Sequence, residues 1–124
     1  MGNKYEYLTI IETLSIHKIL IEKYGGMDGL RDIGALDAAL FRPQTGYYDD
    51  IIEEAAALWE SLSQNHPFID GNKRTAFAVV YTFLVLNGCK PKIDVDDAIK
   101  YINELYNLGQ FEFKNIETWL RDKV

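Results

Sequence analysis

Between residues 66 and 77 the chain reads "HPFIDGNKRTAF". A histidine, an aspartate, an asparagine, a lysine and an arginine fall within nine residues, and an apolar run follows directly. Each has an ordinary structural use. Asp70 is a natural helix N-cap. Gly71 suits a turn, Asn72 is a capping amide, and His66 at a helix end is favoured by the C-terminal dipole. Phe68 is expected to bury itself and pin the loop. Each polar residue also has a chemical use. His66 is the one side chain here whose ordinary pKa suits general-base work near neutrality. Asp70 is a hard oxygen ligand for Mg²⁺ beside a bound phosphate. Gly71 admits close approach of backbone to a ligand, and Asn72 can hold both the loop and a phosphate oxygen.

Lys73 and Arg74 separate the two readings. Both fall in the first turn of the helix that the apolar run predicts. That end carries the positive pole of the macrodipole, where cations are disfavoured and anions are bound. Two adjacent cations there cost stability unless something negative is held. Lys73 as a point charge and Arg74 as a forked donor, added to free backbone N–H groups, fit a polyphosphate. With a carboxylate for Mg²⁺ and an imidazole at the rim, the set describes phosphoryl or nucleotidyl transfer. Positioning and charge stabilisation do most of the work in that chemistry. The chain has no Walker-type loop, no kinase glycine-rich loop and no HExxH pair. His17, the only other histidine, lies within an apolar helical stripe and reads as a hydrogen-bonded core residue. Cys89, the only cysteine, has no activating base beside it and reads as packing. Tyr47 and Tyr48 read as loop packing, with contact to a partner the alternative should the pair be exposed.

The elements that would position these residues are helical. Residues 8–24 carry Ile10, Leu14, His17, Ile21 and Tyr24 on one face, and Gly25-Gly26 ends the helix. Residues 35–41 predict a short helix stopped before Pro43. Asp49 or Asp50 caps a helix through about Ser63, with acidic residues in its first turn. A helix from about Asn72 to Leu86, apolar around most of its circumference and therefore central, ends at Asn87-Gly88. "CKPKI" reads as extended, Asp94 caps a helix over about 95–108, and "FEFK" is a connector. Asn115 caps the last helix. No segment alternates with period two. The expectation is an all-α fold: one domain, residues 1–124, a compact bundle of about six helices with short loops.

Composition is consistent with this. A chain of 124 residues that is 48% hydrophobic can bury a real core. The net charge of −6 argues against direct binding to a nucleic-acid backbone. A lone thiol points to a reducing cytoplasm. The start, "MGNKYEYLTI", lacks a signal-peptide core, and Glu6 breaks the myristoylation pattern. The longest apolar run, Ala76 to Leu86, is about half of a membrane span, so no membrane association is expected.

"HPFIDGNKR" resembles the signature of the Fic/Doc family, His-x-Phe-x-Asp/Glu-Gly/Ala-Asn-Gly/Lys-Arg, which constrains seven positions in nine. "KYGGMDGLRDIGALDAALFRPQ", residues 23–44, resembles the Doc (death-on-curing) branch, and the likeness covers nearly the whole chain. The resemblance implies a helical core around the motif. It assigns His66 as the base, Asp70 as the Mg²⁺ ligand, and Gly71, Asn72, Lys73 and Arg74 as the phosphate cradle. Most Fic proteins transfer AMP from ATP to a protein hydroxyl and carry Gly-Asn-Gly-Arg. A lysine at position 73 is typical of Doc toxins, which move the γ-phosphate of ATP to a threonine of elongation factor Tu and stop translation. Gly71 departs from the Doc pattern, where alanine is frequent, and returns that position to the Fic form. The inhibitory segment Ser/Thr-x-x-x-Glu-Gly/Asn of Fic proteins does not occur in the chain. Resemblance therefore implies restraint in trans by an antitoxin whose C-terminal segment folds into an apolar groove.

The reading is thus an ATP- and Mg²⁺-dependent protein kinase of the cytoplasm, a toxin of a toxin–antitoxin pair. AMP transfer by the same site is the nearest alternative. A non-enzymatic inhibitor binding the translation machinery is the alternative of another class. Relief of the dipole clash further predicts that Lys73→Ala and Arg74→Ala stabilise the ligand-free fold.

Overall fold

The computed structural model describes residues 5–124; the Met1-Gly2 start lies outside them. Six α-helices follow one another: α1 (Ile10–Tyr24), α2 (Ile33–Phe41), α3 (Ile51–Asn65), α4 (Asn72–Leu86), α5 (Val95–Asn107) and α6 (Phe113–Lys123). A single 3-10 turn, Arg42–Gln44, follows α2 and takes in Pro43. The described residues form no strand, and one isolated antiparallel bridge joins Leu30 to Phe68. Among the described residues no helix is long and apolar enough to cross a membrane. The all-α expectation holds, and the helix bounds fall within a few residues of those read from the sequence.

Short-range chemistry sets most boundaries. Thr9 and Glu12 form a reciprocal capping box at the start of α1. Asp32 caps α2 through the Ala35 N–H, two residues earlier than the apolar pattern placed that helix. Asp50, not Asp49, caps α3. The ends of α4 and α5 are closed in the same way. Gly88 and Gly109 adopt positive φ, and the two N–H groups past each C-cap return to the last turn, Gly88 to Val85 O and Cys89 to Leu84 O, Gly109 to Tyr106 O and Gln110 to Leu105 O.

The start of α6 departs from expectation. Glu112, not Asn115, takes the N-cap position, and Asn115 lies inside the helix with its amide donating to Gln110 O at 2.8 Å. The reason is tertiary. The Phe113 N–H donates to the carboxylate of Glu60, from the middle of α3, at 2.7 Å. The same Glu60 pairs with Arg42 at 2.7 Å, tying α3, α6 and the 3-10 turn together.

Centrality also differs from expectation. Helix α4 does contribute Ala76, Phe77, Val79, Val80, Phe83 and Leu84 to the core, but Tyr81, Val85 and Leu86 on its other side are exposed. The more enclosed helix is α3, in which Ala55, Ala56 and Ala57 are fully buried and Trp59 and Leu62 nearly so. The alanine triplet leaves space for neighbouring backbones, and α3 packs against α2, α4 and α6. One hydrophobic cluster runs from Leu8 through helices α2 to α6 as far as Leu120, and Ile10, Leu14 and Ile16 of α1 pack against it. Burying large apolar side chains of this kind contributes about 1.5–3 kcal/mol each. The loop between α3 and α4 is therefore anchored on two helices that cannot shift without opening the core.

Candidate active site

The α3–α4 loop is held mainly through its backbone. Phe68 is buried and lies flat on the imidazole of His17, ring centroids 3.9 Å apart. Asn72 clasps Phe68 at both ends: its carbonyl oxygen accepts the Phe68 N–H and its amide donates to Phe68 O, both at 2.9 Å. His17, only 2% exposed, meets Asp70 O through Nε2 at 2.8 Å. Its Nδ1 faces Asp28 Oδ1 at 3.7 Å. His17 is thus the hydrogen-bonded core histidine its stripe implied, with the added task of fixing the loop. The segment before α2 supplies the rest: Ile69 N–H donates to Gly29 O, and the Arg31 and Asp32 N–H groups both donate to Pro67 O.

On this frame sit the polar residues of the motif. His66, Ile69, Asp70, Gly71, Asn72, Lys73, Arg74 and Ile99 line one cavity of about 450 Å³. All six of the residues singled out by type and spacing share it. His66 closes α3 in the left-handed conformation, φ 47° and ψ 58°, the only described non-glycine residue with positive φ. Its imidazole is exposed and makes no hydrogen bond with the described residues. Strain of this kind, on the order of 1–3 kcal/mol, persists where the surroundings over-determine the residue.

Asp70 is not the N-cap of α4; Gly71 is, in the left-handed region at φ 75° with no side chain capping the helix. Asp70 instead accepts the Gly71 N–H on Oδ1 at 2.8 Å and the Met27 N–H on Oδ2 at 3.1 Å. The first N–H groups of α4 therefore point free of side-chain acceptors. Gly71 also explains its own identity. A Cβ there would meet Ile21 Cδ1 at 3.1 Å on a backbone that side chains rarely adopt.

Neither cation of the first turn pairs with a carboxylate among the described residues, but neither dangles. Lys73 Nζ donates to Asn103 Oδ1 at 2.7 Å and lies 5.0 Å over the Tyr106 ring, both on α5. The Arg74 guanidinium stacks 4.1 Å over Tyr24, which is 49% exposed at the end of α1 rather than buried with its stripe. Asn103, Tyr106 and Tyr24 escaped the sequence reading, and Asn103 and Tyr106 lie about thirty residues from the lysine they hold. The donor set fits Mg²⁺. No group of three or more acidic, histidine or cysteine residues occurs among the described residues, and Asp70 supplies an exposed carboxylate at the cavity. Mg²⁺ at nucleotide sites takes one or two carboxylates and draws its other ligands from phosphates and water.

An all-helical domain with this loop at its centre belongs to the Fic/DOC family, whose pattern the chain matches over residues 7–84. The match runs from before α1 into the last turn of α4 and leaves α5 and α6 outside it. The chain is 44% identical over 107 residues to Toxin Doc of Mycolicibacterium smegmatis, covering 81% of this chain and 80% of that protein. It is 35% identical over 81 residues to Protein kinase doc of Escherichia phage P1, covering 62% and 64% respectively.

Proposed function

We propose that the chain is a Doc-type toxin that transfers the γ-phosphoryl group of ATP to a serine or threonine hydroxyl of a protein, with elongation factor Tu the expected target and arrest of translation the outcome. The observation that carries this reading is the start of α4. It is uncapped and bears two cations without acidic partners, beside an exposed imidazole and an accessible carboxylate. The relatives named Toxin Doc and Protein kinase doc support the toxin and the kinase assignments.

In this reading the triphosphate lies across the free N–H groups of α4, with Lys73 and Arg74 as charged donors and Gly71 allowing close approach. The side chain of Asn72, engaged with Phe68, serves the cradle chiefly by fixing the loop. Asp70 would hold Mg²⁺, which when bound neutralises phosphate charge. His66 accepts the proton of the incoming hydroxyl as its oxygen forms the new bond to phosphorus. The bond from that phosphorus to the β,γ-bridging oxygen breaks, and ADP leaves. An antitoxin acting in trans is the expected restraint. The cleft between the residues before α1 and helix α2, where Thr9, Asp37 and Gln44 interrupt a lining of Tyr7, Leu8, Ile10, Leu40 and Phe41, offers a partly apolar groove for its segment. The reducing cytoplasm is the expected compartment.

Incubation with elongation factor Tu and ATP labelled at the α or the γ phosphate tests the assignment. Label from γ supports phosphoryl transfer. Label from α alone replaces it with AMP transfer, and label from neither counts against both. His66→Ala is expected to lower transfer by about two to four orders of magnitude, the range for a general base. Undiminished growth arrest by that variant would favour a non-enzymatic inhibitor.

A further inference from the structure

The end of α3 is built unlike the ends of α4 and α5. Those two close with a glycine and returning backbone N–H groups. After His66 comes Pro67, which has no N–H to return. The next N–H, that of Phe68, is taken by Asn72. The last carbonyls of α3 are met by one side chain instead. Arg31 donates from Nε to His66 O at 2.6 Å and from Nη2 to Asn65 O at 2.7 Å. A guanidinium at this position opposes the negative pole of the helix, and both bonds are charge-assisted. Arg31 is itself fixed, since its own N–H donates to Pro67 O at 2.8 Å and the Leu30–Phe68 bridge adjoins it. The residue whose carbonyl it grips is the one non-glycine residue held in the left-handed region.

We propose that Arg31 is a positioning residue for the transfer reaction: by gripping the carbonyls of Asn65 and His66 it locks His66 in its left-handed conformation and so keeps the imidazole at the rim of the phosphate cavity. This rests on the reading of His66 as the base. Arg31 does not line the cavity, and its side-chain bonds go to backbone carbonyls, so it acts through the backbone. Its loss therefore leaves the α4 cradle in place and misdirects the base. That predicts a lower kcat at unchanged KM for ATP.

The chain has two histidines, so a proton–carbon correlation spectrum of its imidazoles holds two sets of ring signals, with His17 as the internal control. In Arg31→Met the His66 ring signals shift, while the His17 signals hold still. With ATP, Mg²⁺ and elongation factor Tu, kcat falls about tenfold to a hundredfold, the scale of a misplaced catalytic group, with KM for ATP unchanged. Arg31→Lys, which keeps a charged donor, recovers part of the loss. If the Met variant fails to fold, Arg31→Gln carries the same comparison with one neutral donor. Unchanged His66 signals, a KM that rises with the loss of kcat, or a Lys variant no better than Met would each overturn the proposal. Full transfer by His66→Ala would overturn the parent reading of the base, while the ring signals would still decide the anchoring.

Discussion

Helices α3 and α4 pack side by side, and their starts follow opposite plans. Asp50 caps α3 with its carboxylate, Glu53 and Glu54 sit in the first turn, and Arg121 from α6 closes on Asp50 at 3.0 Å. Helix α4 opens on a left-handed glycine, has no side-chain cap, and places Lys73 and Arg74 where α3 places its acids. The remaining starts resemble α3 more than α4. Helices α1 and α2 carry side-chain caps, α5 has Asp96 and Asp97 in its first turn, and α6 borrows Glu60. Helix α5, despite Asp94 at its N-cap position, also lacks a side-chain cap, but its acids suit the dipole; among the described helices only α4 joins an uncapped start to two cations, the arrangement expected where an anion completes the end. On the proposed reading, the anion bound there is what stabilises the open end.

The strongest way to break this contrast is to remove the cations. Lys73→Ala with Arg74→Ala is expected to weaken binding of ATP with Mg²⁺ by about a hundredfold or more, since each charge-assisted bond contributes about 1.5–3 kcal/mol. Calorimetric titration reads this directly, and affinity within a few-fold of the parent would remove the basis for the phosphate cradle. The structure revises the companion expectation that these substitutions stabilise the ligand-free fold. Relief of the dipole clash is offset by loss of the Lys73–Asn103 bond and the Arg74–Tyr24 stack, so the melting temperature is expected to stay nearly level.

A smaller effect is expected at the glycine that opens α4. Gly71→Ala forces a Cβ into a left-handed backbone and against Ile21. Destabilisation of about 1–2 kcal/mol should follow in urea unfolding. A neutral result would mean that α4 can open on an ordinary backbone and that its uncapped start is not imposed by the turn.

What was legible in the sequence was local. The Asp50 cap, the glycine stop at Gly88, the burial of Phe68 and the convergence of His66, Asp70 and residues 71–74 on one loop all depend on spacings of a few residues. What escaped depends on partners far along the chain. Glu60 reaches the start of α6 across 53 positions, Arg31 reaches His66 across 35, and Asn103 reaches Lys73 across 30. Asn115 has the right chemistry for a cap and lost the position because a half-buried carboxylate in α3 already serves the Phe113 N–H. The greater enclosure of α3 was hidden because three alanines contribute little apparent hydrophobicity, yet let neighbours approach closely. An arginine preceding a helix cap carries no local mark of the carbonyls it will meet.

The smallest test lies at the start of α3 and uses pH. Burial alone would raise the Asp50 carboxyl, but the Glu53 N–H and the Arg121 guanidinium outweigh it and hold the pKa below the usual 3.8. The folded state therefore gives up this proton more readily than the unfolded chain does. The stabilisation is present above about pH 3.8 and is lost as the pH falls through the lower folded value. Asp50→Asn keeps an oxygen for the Glu53 N–H and removes the charge. The variant should lose under about 1 kcal/mol near neutrality, because the side chain is partly exposed and water screens the pair. The gap between the two proteins should then narrow on acidification below about pH 3.8, as Asp50 protonates in the parent. Melting curves across that range measure the gap. A gap that stays constant would mean that the Asp50 charge contributes nothing and that the cap is held by its hydrogen bond alone. In that case α3 and α4 would differ at their starts in who supplies the acceptor, and not in the sign of the charge each requires.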